Sequence, residues 1–152
     1  MAHLRRATAS DLPSLLPLVA AYWDFESITG FDPSRVAPPL ARLLSEPHLG
    51  AGWIASIDGA PVGYLLAVYV FSLEHLGLTA EIDELFVTPP GRAAGVGSAL
   101  LQIAEAEFTR VGCTNVSLQL ARGNDAARRF YHRHGYTERA GYELLDKPLS
   151  AE

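Results

Sequence analysis

The sequence predicts a single α/β domain spanning residues 1–152, with a mixed, mostly antiparallel sheet flanked by helices in the order β-α-α-β-β-β-α-β-α-β. Three observations carry this reading. Asp58-Gly59 separates two strand-like runs and marks a hairpin. A strand-like run closing at Val87 leads, past Pro89-Pro90, into a glycine-bearing turn. That turn opens a helical run in which Val96, Leu100, Ile103, Ala104, Phe108 and Val111 share one face. Hairpins join the strands before the turn, so a doubly wound dinucleotide fold is not expected.

The elements follow in order. His3 to Ala7 reads as a first strand, and Ser10-Asp11 as the cap of a helix with Leu12, Leu15, Leu16 and Val19 at apolar spacing. That helix runs to about Trp23, and a second is expected from Pro38 to Leu44, after Asp32-Pro33. Trp53 to Ile57 and Val62 to Phe71 are the hairpin strands, and Ala80 to Val87 the next strand, after a loop around Leu73 to Leu78. The helix from Val96 to Val111 stops at Gly112. Val116 to Leu120 reads as a strand, Asn124 to His134 as a helix, and Tyr136 to Leu145 as a last strand.

Composition narrows the function. A formal net charge of -5 argues against binding a nucleic-acid backbone, which needs a basic face. No apolar run is long enough to span a bilayer, and no signal core follows the N-terminus, so neither a membrane nor export is expected. The lone Cys113 excludes an internal disulfide and fits a cytoplasmic location. His132 and His134 do not share a helix face, so no metal site is expected there.

The informative stretch is the turn Arg92-Ala-Ala-Gly-Val-Gly-Ser98. Amides at a helix start lack partners and the helix dipole favours an anion, while Gly95 and Gly97 permit close approach and Arg92 adds charge. A tight structural turn would explain the same residues equally well. The terminal Lys-Ser/Thr of a nucleotide P-loop and the third glycine of a dinucleotide fingerprint are both missing.

Two motifs at the right separation settle what kind of turn this resembles. Val87, Pro89 and Arg92-x-x-Gly95-x-Gly97, followed by Asn124, Ala127, Phe130, Tyr131, Gly135 and Tyr136, resemble the signature of the GNAT superfamily of acetyl-CoA-dependent N-acetyltransferases. The element order resembles that family over nearly the whole chain. Ala93 and Ala94 depart from it, since many relatives carry glycine and a basic residue there. The cradle is therefore less basic than usual.

The resemblance implies acetyl-CoA as cosubstrate and no metal. Backbone amides of Arg92, Ala93, Ala94, Gly95, Val96, Gly97 and Ser98 would hold the pyrophosphate, and the backbone of Leu85, Phe86 and Val87 would pair with the pantetheine arm. Asn124 and Ala127 would border the same cosubstrate, Asn124 being readable also as a helix cap. Tyr131 matches the tyrosine that protonates the leaving thiolate, a task a phenol's pKa suits.

Among the acids, strand alternation puts Glu81 and Asp83 on one face with Leu85 and Val87, and Glu84 on the other with Ile82 and Phe86. Glu84 is favoured as the base, then Glu81; each reads equally well as a solvated strand residue. On the acceptor side, Tyr22, Trp23, Glu26, Tyr69, Glu74 and Asp83 combine aromatics with carboxylates, as suits a cationic amine. The expected acceptor is a small-molecule amine. A protein lysine or N-terminal amine and a non-catalytic acyl-CoA-binding module are the alternatives, and a homodimer is left open.

Overall fold

Asp58 and Gly59 take positive φ (51° and 80°), the backbone of a two-residue hairpin turn whose twist matches its strands. They join β2 (Gly50–Ile57) to β3 (Ala60–Ser72). β1 (Ala2–Arg6) pairs outside β2, and β4 (Gly77–Val87) pairs with β3, all antiparallel. β5 (Val116–Leu118) adds in parallel to β4, completing a five-stranded sheet in sequence order. The mixed, mostly antiparallel sheet is the one the sequence predicts. The computed structural model describes residues 1–150, which fall into two compact units, Met1–Gln119 and the residues from Leu120 on.

In the first unit, helices cover both sheet faces. α1 (Leu12–Phe25) and α2 (Pro33–Ser45) bury Leu15, Leu18, Val19 and Leu40 against Ile54, Tyr64 and Leu66. On the other face, beyond the short α3 (Pro89–Ala93), α4 (Val96–Arg110) buries Val96, Leu100, Leu101, Ala104 and Phe108. The Phe108 ring meets Trp53 and Tyr69 edge-on, with centroids 5.9 and 6.2 Å away.

Two helix starts differ from the sequence reading. Asp11 does not cap α1 with its side chain. Its carboxylate accepts the Thr8 N–H at 2.8 Å and pairs with the Arg5 guanidinium at 2.6 and 2.8 Å, tying the helix entry to β1. α2 begins at Pro33 and not at Pro38, because Asp32 accepts the Ser34 N–H at 2.9 Å and Pro33 suits the first turn. Pro38 and Pro39 then lie within the helix.

The second unit holds α5 (Asp125–Arg133), capped by Asn124, whose side chain accepts the Ala127 N–H at 3.2 Å. The last strand of the expected order, Tyr136 to Leu145, does not form: that stretch has no regular structure. Gly141 at φ 94° breaks the run, and the unit's described residues offer no second strand to complete a ladder.

Truncating the ring that fixes α4 to the sheet tests this packing. Phe108→Ala is expected to lower the unfolding free energy by about 3–5 kcal/mol, measured by urea denaturation followed by circular dichroism.

Candidate functional site

The site begins with a break in the β3–β4 ladder. Leu66 pairs with Glu84, but the next residue, Ala67, pairs with Ile82. Asp83 is the extra residue of a β-bulge, which bends its strand and re-aims side chains. Simple alternation had separated Asp83 from Glu84. The bulge overrides it, and both acids line one hollow of about 570 Å³ on the α1/α2 side of the sheet.

Trp23, Asp83 and Glu84 therefore meet, as do Val19, Leu40, Leu43 and Leu66 as apolar walls, with Thr29, Gly30 and Arg35 also contributing. The Trp23 indole N–H donates to Glu84 Oε2 at 3.1 Å, and the Tyr64 hydroxyl donates to Oε1 at 2.7 Å. Burial pushes the Glu84 carboxyl above the ordinary range, while these two donors hold it down and the nearby Asp83 adds to the rise. Asp83 keeps exposed surface, yet surrounding protein still raises its pKa. Tyr64 is fully buried, and burial beside Glu84 pushes its phenol far up, so it stays a donor.

Tyr64 and Arg35 were not singled out from the sequence. A tyrosine in the middle of an otherwise apolar strand, Val62 to Val70, was the available signal for the first, since a buried hydroxyl needs a partner. Arg35 lies one turn ahead of Pro39 in a helix whose start was misplaced, which hid its register.

The other expected acceptor residues lie elsewhere. Tyr22 packs its ring on Tyr64 and Phe86, beside the hollow. Glu26 ends α1 and does not line the hollow. Tyr69 sits against Phe108 on the opposite sheet face from Glu84. Glu74 lies in the β3–β4 turn, 3.5 Å from His75. Glu81 stands beside Ser117 of β5, where the Gln119 amide donates to it at 3.3 Å.

The glycine turn lies at the far end of β4. β5 pairs with only Ala80, Glu81 and Ile82, so β4 is unpaired on that side from Asp83 onward. Thr88 N–H donates to Val62 O at 2.8 Å; by strand alternation, Leu85 and Val87 turn their backbone groups to the open edge and Phe86 turns its own toward β3. Gly95 takes φ 72° and starts α4 with no side-chain cap. Of the amides expected to form the cradle, those of Arg92, Ala94 and Gly95 already donate to the Thr88, Gly91 and Arg92 carbonyls, and the N–H groups of Val96 and Gly97 at the helix start remain for an external anion. Ala93 and Ala94 are exposed and add no charge, and Ser98 lies in the first turn of α4. Arg92 is folded back: its Nε donates to Val87 O at 2.8 Å, and its guanidinium lies 5.9 and 6.0 Å from the Phe25 and Phe86 rings. The open edge and uncapped helix start suit an extended molecule ending in phosphate.

In the second unit, Tyr131 lies on α5 with its ring 5.1 Å from Phe130 and 5.5 Å from Tyr136. His132 pairs with Glu138 at 2.5 Å, and the His134 ring lies tilted against Phe130, with centroids 4.8 Å apart.

Comparison with known proteins agrees with this architecture. Residues 15–136 match the model of the Acetyltransferase (GNAT) family. An aminoalkylphosphonate N-acetyltransferase of Salmonella typhimurium is 33% identical over 138 residues, covering 90% of this chain and 85% of that one. An uncharacterized N-acetyltransferase of Bacillus subtilis is 29% identical over 140 residues, covering 92% and 93%. Among solved structures, an aminoglycoside N-acetyltransferase in complex with CoA superposes with a TM-score of 0.84 at 18% identity, over 98% of this chain and 96% of that one, a likeness of fold.

Burial raises the pKa of the Glu84 carboxyl, and its two donors oppose that rise. Removing one withdraws a bond made to the charged form, so Tyr64→Phe is expected to raise the Glu84 pKa further. Carbon-detected NMR of the side-chain carboxyl across a pH series measures the shift.

Proposed function

The chain belongs to the GNAT acetyltransferase family and is an N-acetyltransferase, and on that premise we propose that it moves the acetyl group of acetyl-CoA to the primary amine of a small molecule by direct attack. The observation that carries the acceptor side is the hollow with Glu84 and Asp83 at its sheet wall. A cavity of this size suits a small molecule held among apolar walls and a few polar groups. An extended peptide would call for an open groove. The aminoalkylphosphonate enzyme, which shares a third of its aligned residues with this chain, is named for a small amine.

Acetyl-CoA supplies an activated thioester carbonyl. The Val96 and Gly97 amides at the start of α4 would hold its pyrophosphate, and the β4 edge at Leu85 and the Val87 N–H would run alongside its pantetheine arm, the Val87 carbonyl being taken by Arg92. With Ala93 and Ala94 in the turn and Arg92 folded back on β4, backbone amides carry most of that recognition.

Glu84 takes the proton of the incoming ammonium, directly or through water, leaving a neutral amine whose lone pair forms the C–N bond. Burial raises its pKa, which makes it a stronger base than an ordinary carboxylate. Trp23 and Tyr64 occupy one position on each Glu84 oxygen and fix the carboxylate's orientation. Asp83 adds negative charge that draws the ammonium in. As the C–S bond breaks, the thiolate takes a proton from Tyr131, and the second proton shed by the newly bonded nitrogen restores the phenol, a role for Tyr131 that rests on the family motif. Asn124 keeps its cap and with Ala127 opens the helix that carries Tyr131. On this reading residues 1–152 act as a single N-acetyltransferase domain.

A thiol-release assay with acetyl-CoA across a panel of amines tests the reading. CoA release that depends on amine is expected, with Tyr131→Phe lowering kcat by about a hundredfold while acetyl-CoA binding persists by calorimetry. Failure to bind acetyl-CoA, or binding with no turnover on any amine, would contradict it.

A further inference from the structure

The hollow is chemically polarised. Its sheet wall carries two carboxylates, Asp83 and Glu84; α1, α2 and β3 line it with apolar Val19, Val36, Leu40 and Leu66; and α2 brings one cation, Arg35. Arg35 lies at the N-terminal end of α2, where the helix dipole itself favours an anion. Among the described residues no carboxylate lies within ion-pair distance of its guanidinium. Asp32, three positions earlier, attracts it only weakly and spends its own side chain capping α2 through Ser34.

An acceptor seated in this hollow thus meets negative charge at one end and positive charge at the other. A diamine or polyamine would place its second ammonium against the Arg35 guanidinium, where like charges repel. A plain alkylamine would leave Arg35 unused. An amine bearing a distal carboxylate or phosphonate satisfies both ends, and the planar guanidinium fork matches either anion.

Resting on the acyl-transfer reading above, we propose that the acceptor is a short zwitterionic amine, with an apolar spacer between its ammonium and a terminal oxyanion, and that Arg35 selects it by pairing with that oxyanion. The amine end meets Glu84 and Asp83, the spacer packs on Val36, Leu40 and Leu66, and the anion is held at the mouth. Arg35 touches the substrate far from the reacting nitrogen, so its energy appears in KM more than in kcat.

The test compares γ-aminobutyrate, aminopropylphosphonate, butylamine and putrescine as acceptors for the native enzyme, Arg35→Ala and Arg35→Glu, by CoA release. The native enzyme is expected to favour the two anionic amines over butylamine and putrescine by about tenfold to a hundredfold in kcat/KM, the range of one charge-assisted pair. Arg35→Ala should lose at least about tenfold of that preference, mainly through KM, and Arg35→Glu should turn it toward putrescine. The carboxylate and phosphonate arms separate which oxyanion fits better. Turnover of butylamine or putrescine at native rates, with no preference for the anionic pair or none lost in Arg35→Ala, would overturn this proposal and leave the acetyltransferase reading standing. Absence of turnover on all four, with no Arg35-dependent binding of γ-aminobutyrate or aminopropylphosphonate by calorimetry, would overturn the proposal. Only failure on a broad amine panel as well would remove the reading beneath it.

Discussion

The register break between Leu66 and Ala67 of β3 is the constraint from which the rest of the site follows. A regular ladder would send Asp83 and Glu84 to opposite faces of the sheet, one toward α1 and α2 and one toward α4. With Asp83 carried as the extra residue, Glu84 still meets Leu66, and both acids reach the same hollow. The bend falls where pairing with β5 ends, so β4 leaves that neighbour as it passes the acids. One local irregularity thus groups the carboxylates and accompanies the opening of an edge toward the glycine turn.

Glu84 shows how the fold tolerates a half-buried carboxylate. Burial raises its pKa, and an unpaired charge there would be costly. Tyr64 from β3 and Trp23 from α1 each give one hydrogen bond to a different oxygen. Tyr64 is itself locked by ring contact with Tyr22, and Trp23 by Phe31 at 5.5 Å. The carboxylate is therefore oriented by residues that the apolar core already holds. Since the folded pKa exceeds the unfolded one, this group costs stability as pH rises from the ordinary carboxylate range through its folded pKa. That is the usual trade of a site whose chemistry outweighs its packing.

Most of the architecture was legible in the chain, for local reasons. Asp58-Gly59 dictates its own turn, Gly112 ends α4 at φ 92°, and the apolar face from Val96 to Phe108 can only be a buried helix face. The glycine turn and the Asn124–Tyr131 stretch were readable because both motifs are contiguous. Legibility failed where tertiary context decides. No periodicity shows that Asp83 is a bulge, since a bulge exists only relative to the partner strand. Tyr69 reads like an acceptor-site aromatic, yet its strand parity points it at Phe108. Tyr136 to Leu145 alternates like a strand, but alternation supplies no partner for a ladder.

The central claim is that Glu84, brought beside Asp83 by the bulge and oriented by Tyr64 and Trp23, is the group that deprotonates the acceptor. The pH dependence of kcat/KM for native enzyme and Glu84→Gln tests it most directly. The account predicts a native acid limb set by a carboxyl titrating above the ordinary range, and a Glu84→Gln enzyme about a hundredfold slower or worse with that limb gone. A Glu84→Gln variant that keeps both the native rate and the native limb would contradict it.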